Sequence, residues 1–214
     1  MFGADQRDID QIAEYADSGV RQMVRTGSLA PIAGRSGLNA WLYGRCGNRG
    51  NAIYTALGSL LTIGLSGLLA LLLNEPLVFP SLGATAFLFF ETPMAEVASI
   101  RNTIIGHSVG CAVAYVWLTV FGLVGDPSAI ASGFDLSRVA CIALSLSCTG
   151  GILRLLRAAH PPAGATNVIV SIGLLTTGDE LLVLMAGVSI LSVAAWGLNR
   201  ALGVPAPVWT GARG

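Results

Sequence analysis

Two runs in this chain are long enough to cross a lipid bilayer unaided. Ala52 to Leu73 carries no charged residue, and Asn102 to Val124 carries only His107. About 30 Å of hydrocarbon takes roughly 20 consecutive apolar residues to cross, and each run meets that length. The rest of the chain agrees: 53% of the 214 residues are hydrophobic and only 11% are charged, giving a mean hydropathy of +0.70. A soluble domain is usually about 25% charged, because its surface must face water. The charges that exist cluster before residue 50 (Asp5, Arg7, Asp8, Asp10, Glu14, Asp17, Arg21, Arg25, Arg35, Arg45 and Arg49). The composition therefore specifies an integral membrane protein, an all-α polytopic bundle of short helices.

Net charge is zero, which removes nucleic acid as a partner, since that would call for a basic face. Cys46, Cys111, Cys141 and Cys148 show no CxxC or metal-ligand spacing, and three of them lie in apolar segments where cysteine acts as a small hydrophobe. There is no nucleophile–base–acid set, phosphate-binding glycine loop or metal-ligand cluster. The expectation is a protein that is not an enzyme and takes no cofactor or metal.

Residues 1–50 form a separate N-terminal region. Ile9, Ile12, Ala16, Val20, Met23 and Val24 recur at helical spacing, predicting an amphipathic helix from Asp5 to Arg25 that lies on the membrane or on a neighbouring chain. A linker runs to Ser36, and Trp41 and Tyr43 stand where an interfacial aromatic anchor belongs. Residues 51–204 make the transmembrane domain, and 205–214 a tail.

That domain repeats itself. Pro80-Ser81-Leu82-Gly83-Ala84-Thr85 matches Pro161-Pro162-Ala163-Gly164-Ala165-Thr166 at an offset of 81, and the same offset pairs Ser66 with Ser147, Gly106 with Gly187 and Ser108 with Ser189. Each repeat (52–124 and 136–200) reads as a long apolar segment, a short one opened by PxxGAT, and another long one. The predicted segments are 52–73, 77–91 and 102–124, then 136–154, 159–178 and 181–200. If all six cross, Arg101, Arg154, Arg157, Arg200 and Arg213 share a side with the N-terminal arginines. Only Arg138 then joins Glu75, Asp126, Asp135, Asp179 and Glu180 on the other. The positive-inside rule favours that arrangement over four crossings, with both termini cytoplasmic in the plasma (inner) membrane. Three crossings per repeat make the halves oppositely oriented, an inverted repeat.

Proline before Gly-Ala-Thr cannot continue a helix arriving from upstream. The reading is that 77–81 and 159–162 are extended and that short helices begin near Gly83 and Gly164. Their free N–H groups and positive dipole ends suit a small anion. The candidate binding residues are Gly83, Ala84, Thr85, Gly164, Ala165 and Thr166, with Asn167 close to the helix start and His160 as donor or proton carrier. His107 and Arg101 are candidates for gating or proton transfer. Arg154 and Arg157 read as anchors at the membrane face.

The run His160-Pro161-Pro162-Ala163-Gly164-Ala165-Thr166 resembles the signature of the HPP family of integral membrane proteins. Phe79-Pro80-Ser81-Leu82-Gly83-Ala84-Thr85-Ala86 and Arg101-Asn102-Thr103-Ile104-Ile105-Gly106-His107 also look like that family, so the resemblance spans roughly residues 50–200. The family is usually described with four transmembrane helices, two fewer than the six segments read here. Its plastid and cyanobacterial members are linked to nitrite transport. The resemblance thus implies passage of a small monovalent anion, nitrite first, between the two Gly-Ala-Thr helix starts. Alternatives are a channel or carrier for another small solute, or a non-transporting membrane scaffold or sensor. The expected partners are the anion and the bilayer, with a homo-oligomer left open.

Overall fold

The structure, a computed structural model, describes residues 36–209; the expected helix from Asp5 to Arg25 lies outside them. Among the described residues every regular element is helical: α1 (Gly37–Cys46), α2 (Asn48–Leu73), α3 (Pro80–Glu91), α4 (Ile100–Val120), the short α5 (Ala129–Ser132), α6 (Leu136–Leu155), α7 (Pro162–Ser171) and α8 (Gly178–Ala201), with a single 3₁₀ turn at Glu96–Ala98.

Four helices, α2, α4, α6 and α8, are long and apolar enough to cross a membrane. The way they are turned agrees. On α2 the buried positions are Gly50, Asn51, Tyr54, Gly58, Ser59, Thr62 and Ser66, while Leu60 is 65% and Leu71 77% exposed. Small and polar residues face inward and leucines face out, the reverse of a soluble helix. In lipid, leucine gains nothing from burial, whereas small residues let helices approach closely. The chain is a multi-pass membrane protein.

The helix starts follow local chemistry. Ser99 caps α4 by accepting from the Asn102 N–H, and Asp135 caps α6 by accepting from Arg138 N–H at 2.6 Å. A capping box of Thr177 and Glu180 opens α8. The two short helices begin earlier than the sequence suggested, at Pro80 and Pro162 rather than near Gly83 and Gly164. Proline fits the first turn, where its missing N–H has no partner to lose. Phe79 is extended as expected, but Pro161 is already helical, with φ −52° and ψ −37°. At the far end α7 stops at Ser171, short of the expected 178, because Gly173 turns the chain with φ +85°.

Hydrogen bonds fix the direction of each helix. Asn51 and Thr55 at the start of α2 donate to Glu91 at the end of α3, and Tyr54 donates to Asn199 near the end of α8. At the start of α4 the Arg101 N–H donates to Val208 O, beyond the end of α8. The Arg101 guanidinium donates to Leu156 O and Arg157 O, beyond the end of α6. One end of the bundle therefore gathers the starts of α2 and α4 with the ends of α3, α6 and α8. At the opposite end, Arg138 near the start of α6 donates to Ser171 O at the end of α7. So α2, α4 and α7 run one way, and α3, α6 and α8 the other. Each helix is antiparallel to the one 81 positions on.

Packing follows the same exchange. Helix α3 packs on α2 as α7 packs on α6, and α4 packs on α6 and α7 as α8 packs on α2 and α3. The pairs α4 with α8 and α3 with α7 meet across the middle. Helix α3 has 12 residues and α7 has 10, so at 1.5 Å per residue they are only about 18 and 15 Å long. The six expected crossings thus resolve into four full-length helices and two half-length ones, each preceded by non-helical chain.

Candidate functional site

The two half-helices are set by glycine contacts that obey the repeat. A Cβ on Gly187 of α8 would lie 2.7 Å from Leu77 O, in the lead-in to α3. A Cβ on Gly106 of α4, its partner at offset 81, would lie 2.8 Å from His160 Cβ, in the lead-in to α7. Only glycine lets these chains enter so closely, and their entry carries Thr85 and Thr166 to the centre.

Thr85 and Thr166, equivalent residues of the two motifs, are both fully buried and both meet one ring. His107 Nδ1 lies 2.6 Å from Thr166 Oγ1, and its Nε2 lies 3.1 Å from Thr85 Oγ1. His160 Nε2 lies 3.4 Å from the same Thr85 oxygen, and the two imidazole centroids are 5.0 Å apart. His160 Nδ1 lies 2.8 Å from Val97 O. A carbonyl only accepts, so that nitrogen carries hydrogen, and the neutral His160 ring presents its Nε2 lone pair to Thr85. Thr85 also stands 2.9 Å from Ser81 O, so its single hydroxyl hydrogen goes either to that carbonyl or to His160 Nε2 and not to both. Ser81, one turn earlier on the same face of α3, is completely buried, and its own hydroxyl has no partner among the described residues. Buried hydroxyls nearly always find a partner; Ser59 and Ser66 of α2 also have none among the described residues, and Ser81 is the one of the three that lies a turn from Thr85, as a spare donor beside the centre.

The sequence singled out the two threonines and both histidines, and the structure brings all four together. It gives His107, which showed no partner in the sequence, a partner in each motif. Ser81 and Val97 were missed. Ser81 faces Pro162 at the repeat offset, so the motif comparison passes over it, and Val97 contributes through its backbone alone.

Other candidates go elsewhere. The N–H groups expected to cradle an anion are taken: Leu82 donates to Phe79 O at 2.9 Å, Ala163 to His160 O at 3.0 Å and Gly164 to Pro161 O at 3.0 Å. The first turns tighten on themselves because the helices begin at proline, before Gly-Ala-Thr. Gly83 and Gly164 do not face each other. Gly83 lines an apolar groove between α2 and α3, and Gly164 a groove between α6 and α7. A Cβ on Gly83 would meet nothing within 4 Å, and one on Gly164 only Leu146 Cδ1 at 3.5 Å. Ala84 is exposed and Ala165 half-buried on these outer sides. Asn167 is fully used in a structural knot: its amide donates to Gly110 O and Thr149 Oγ1, and it accepts from Ser145 at 3.0 Å. Arg101 braces the end of α6 and stacks 5.5 Å from the Trp209 ring centroid.

A bundle with four helices long and apolar enough to cross a membrane, and a buried polar centre shared by the two Gly-Ala-Thr motifs, is an all-α multi-pass membrane protein. The family model for the HPP transmembrane region matches residues 45–207, and the chain belongs to that family. No curated protein and no solved structure matches it.

Proposed function

We propose that this protein carries a small monovalent anion, nitrite first, across the membrane, and that the anion passes the centre formed by Ser81, Thr85, His107, His160 and Thr166. The observation that carries the reading is the pair of motif threonines bound to one buried imidazole, with an unpartnered serine hydroxyl beside them. Buried ionisable residues at membrane depth are costly and usually functional, and hydroxyl and imidazole N–H donors suit an anion small enough to fit among them. Inverted repeats meeting at half-helices support transport as well. In place of backbone N–H groups, the donors are side chains, which can exchange their present partners for a ligand.

The end of the bundle that carries Arg45, Arg49, Arg101, Arg154, Arg157 and Arg200 is assigned to the cytoplasm by the positive-inside rule. The host membrane is the plasma membrane, and the chain has no enzymatic role. The test is uptake into liposomes holding purified protein, with nitrite, nitrate, formate, chloride and bicarbonate compared against protein-free vesicles. Saturable uptake of nitrite above the protein-free rate is expected. A protein that takes up none of the five anions is a scaffold or sensor instead.

A further inference from the structure

At the arginine-rich end, a cavity of about 390 Å³ opens beside the centre, lined among others by Arg154, Arg157, Asn102, Glu96 and Val97. Its two guanidinium groups form no hydrogen bond or ion pair with any described residue. Arg101 is different: its Nη1 is 2.8 Å from Asn102 Oδ1 and 3.1 Å from Arg157 O, and its Nη2 is 3.3 Å from Leu156 O. Arg101 thus holds the chain that presents Arg157. That chain is unusual. Arg157 has φ +49°, the left-handed conformation that normally follows a helix end as glycine or asparagine, yet here an arginine occupies it. Asn102, on the cavity wall, is only 3% exposed; its Oδ1 accepts from Arg101 and one amide N–H goes to Ala159 O at 3.4 Å, which leaves the other N–H without a partner among the described residues.

The cavity does not stand alone. Its wall residues Leu153, Arg154 and Ala159 also line the neighbouring groove, of about 240 Å³, in which His160, Pro161 and Gly164 lie. Val97, on the cavity wall, is the residue whose carbonyl fixes His160. A ligand held at the arginines is one residue away from the ring that faces Thr85.

We infer that this cavity is a binding subsite for a monovalent oxyanion, held by Arg154, Arg157 and the spare Asn102 N–H, which loads the central site from the arginine-rich side. The inference rests on the transport reading. Charge sets the class of ligand. Two guanidinium groups and one carboxylate, Glu96, line the cavity, and the Arg101 guanidinium, bonded only to neutral carbonyls, stands behind Asn102, so the cavity is net positive and calls for an anion. Planar oxyanions also match the forked donors of arginine better than spherical halides do.

The same two guanidinium groups would suit a lipid phosphate, so the experiment separates the sources. The full chain is placed in discs of neutral phosphatidylcholine, with nitrite, nitrate or sulfate in solution or with phosphatidylglycerol added to the disc. Thermal unfolding midpoints are read, together with nitrite uptake in liposomes. The Arg154→Gln/Arg157→Gln variant is expected to raise the half-saturating nitrite concentration about tenfold, equivalent to about 1.4 kcal/mol, with little change in maximal rate. Lysine at both positions should recover most of that loss, which controls for folding. An unchanged half-saturating concentration in the glutamine variant overturns the subsite while leaving transport intact. So does a variant that loses stabilisation by phosphatidylglycerol alone. If the wild-type protein takes up no anion but nitrite still stabilises it in an arginine-dependent way, the subsite stands and the transport reading falls.

Discussion

A buried imidazole is stable only when each ring nitrogen meets a group of the right polarity, and the two rings here have four hydroxyl or carbonyl partners, Thr85, Thr166, Val97 O and, at 3.5 Å from His160 Nδ1, Thr103. His160 is pinned by Val97 O on one nitrogen, His107 lies between Thr85 and Thr166, and Thr85 serves both rings. Because Val97 O can only accept, the neutral His160 ring must be the Nδ1–H tautomer. Nitrogen-15 solid-state NMR of the protein with labelled histidine should show it so, and a His160 ring protonated on Nε2 alone would rule out the assigned hydrogen bonding. Thr85→Val leaves nitrogens of two rings unmatched, whereas Thr166→Val leaves one. Each orphaned buried group costs about 1–3 kcal/mol, so Thr85→Val should lower the thermal unfolding midpoint more than Thr166→Val does. Equal midpoints would mean that Thr85 does not serve His160. The sequence displayed both threonines through their repeat, and His160 through its place beside the prolines. It could not display the role of His107, because the partners stand 22 and 59 residues away and only folding brings them together.

At the scale of elements, four glycines in the repeat behave in two ways. Gly106 and Gly187 sit against the lead-ins of the opposite half, where a methyl group has no room; Gly83 and Gly164 open on outer grooves where it has. Gly187→Ala must push back a main-chain carbonyl, and overpacking of this kind typically costs about 1–3 kcal/mol. Gly187→Ala and Gly106→Ala should therefore lower the unfolding midpoint clearly, with Gly187 the worse, while Gly83→Ala should leave it unchanged or raise it. A Gly83→Ala protein as damaged as Gly187→Ala would contradict the packing described. The long helices and the existence of two broken ones were legible from apolar runs and from proline. The exact starts were not, because proline both ends an upstream helix and opens a new one, and sequence alone does not say which. Nor did it reveal that the Gly-Ala-Thr glycines turn outward, since that depends on which face of a ten-residue helix the neighbours cover.

Across the whole molecule, charge and direction agree. The starts of α2 and α4 and the ends of α6 and α8 gather arginines, while Glu75, Asp126 and Asp135 on the connections and Asp179 and Glu180 in the first turn of α8 lie at the other end. Arg138 is the exception there, 4% exposed and bound to Ser171 O and Pro127 O, so it caps α7 instead of anchoring to lipid. This asymmetry was readable from the sequence because it needs only the order of the segments. Single cysteines placed at Asp126 and at Arg157 in intact cells should be labelled from outside at Asp126 only; labelling at Arg157 only would reverse the assigned orientation. The central claim, that a small anion passes between the two motifs at His107, is tested most directly by nitrite uptake into liposomes. Wild-type and His107→Gln proteins are compared at equal density, at a pH where nitrite is almost entirely anionic. The wild-type protein should exceed protein-free vesicles, and a monodisperse His107→Gln protein should fall about tenfold or more, a loss of at least about 1.4 kcal/mol in the barrier-lowering the centre provides. Equal nitrite uptake by the two proteins would contradict the account.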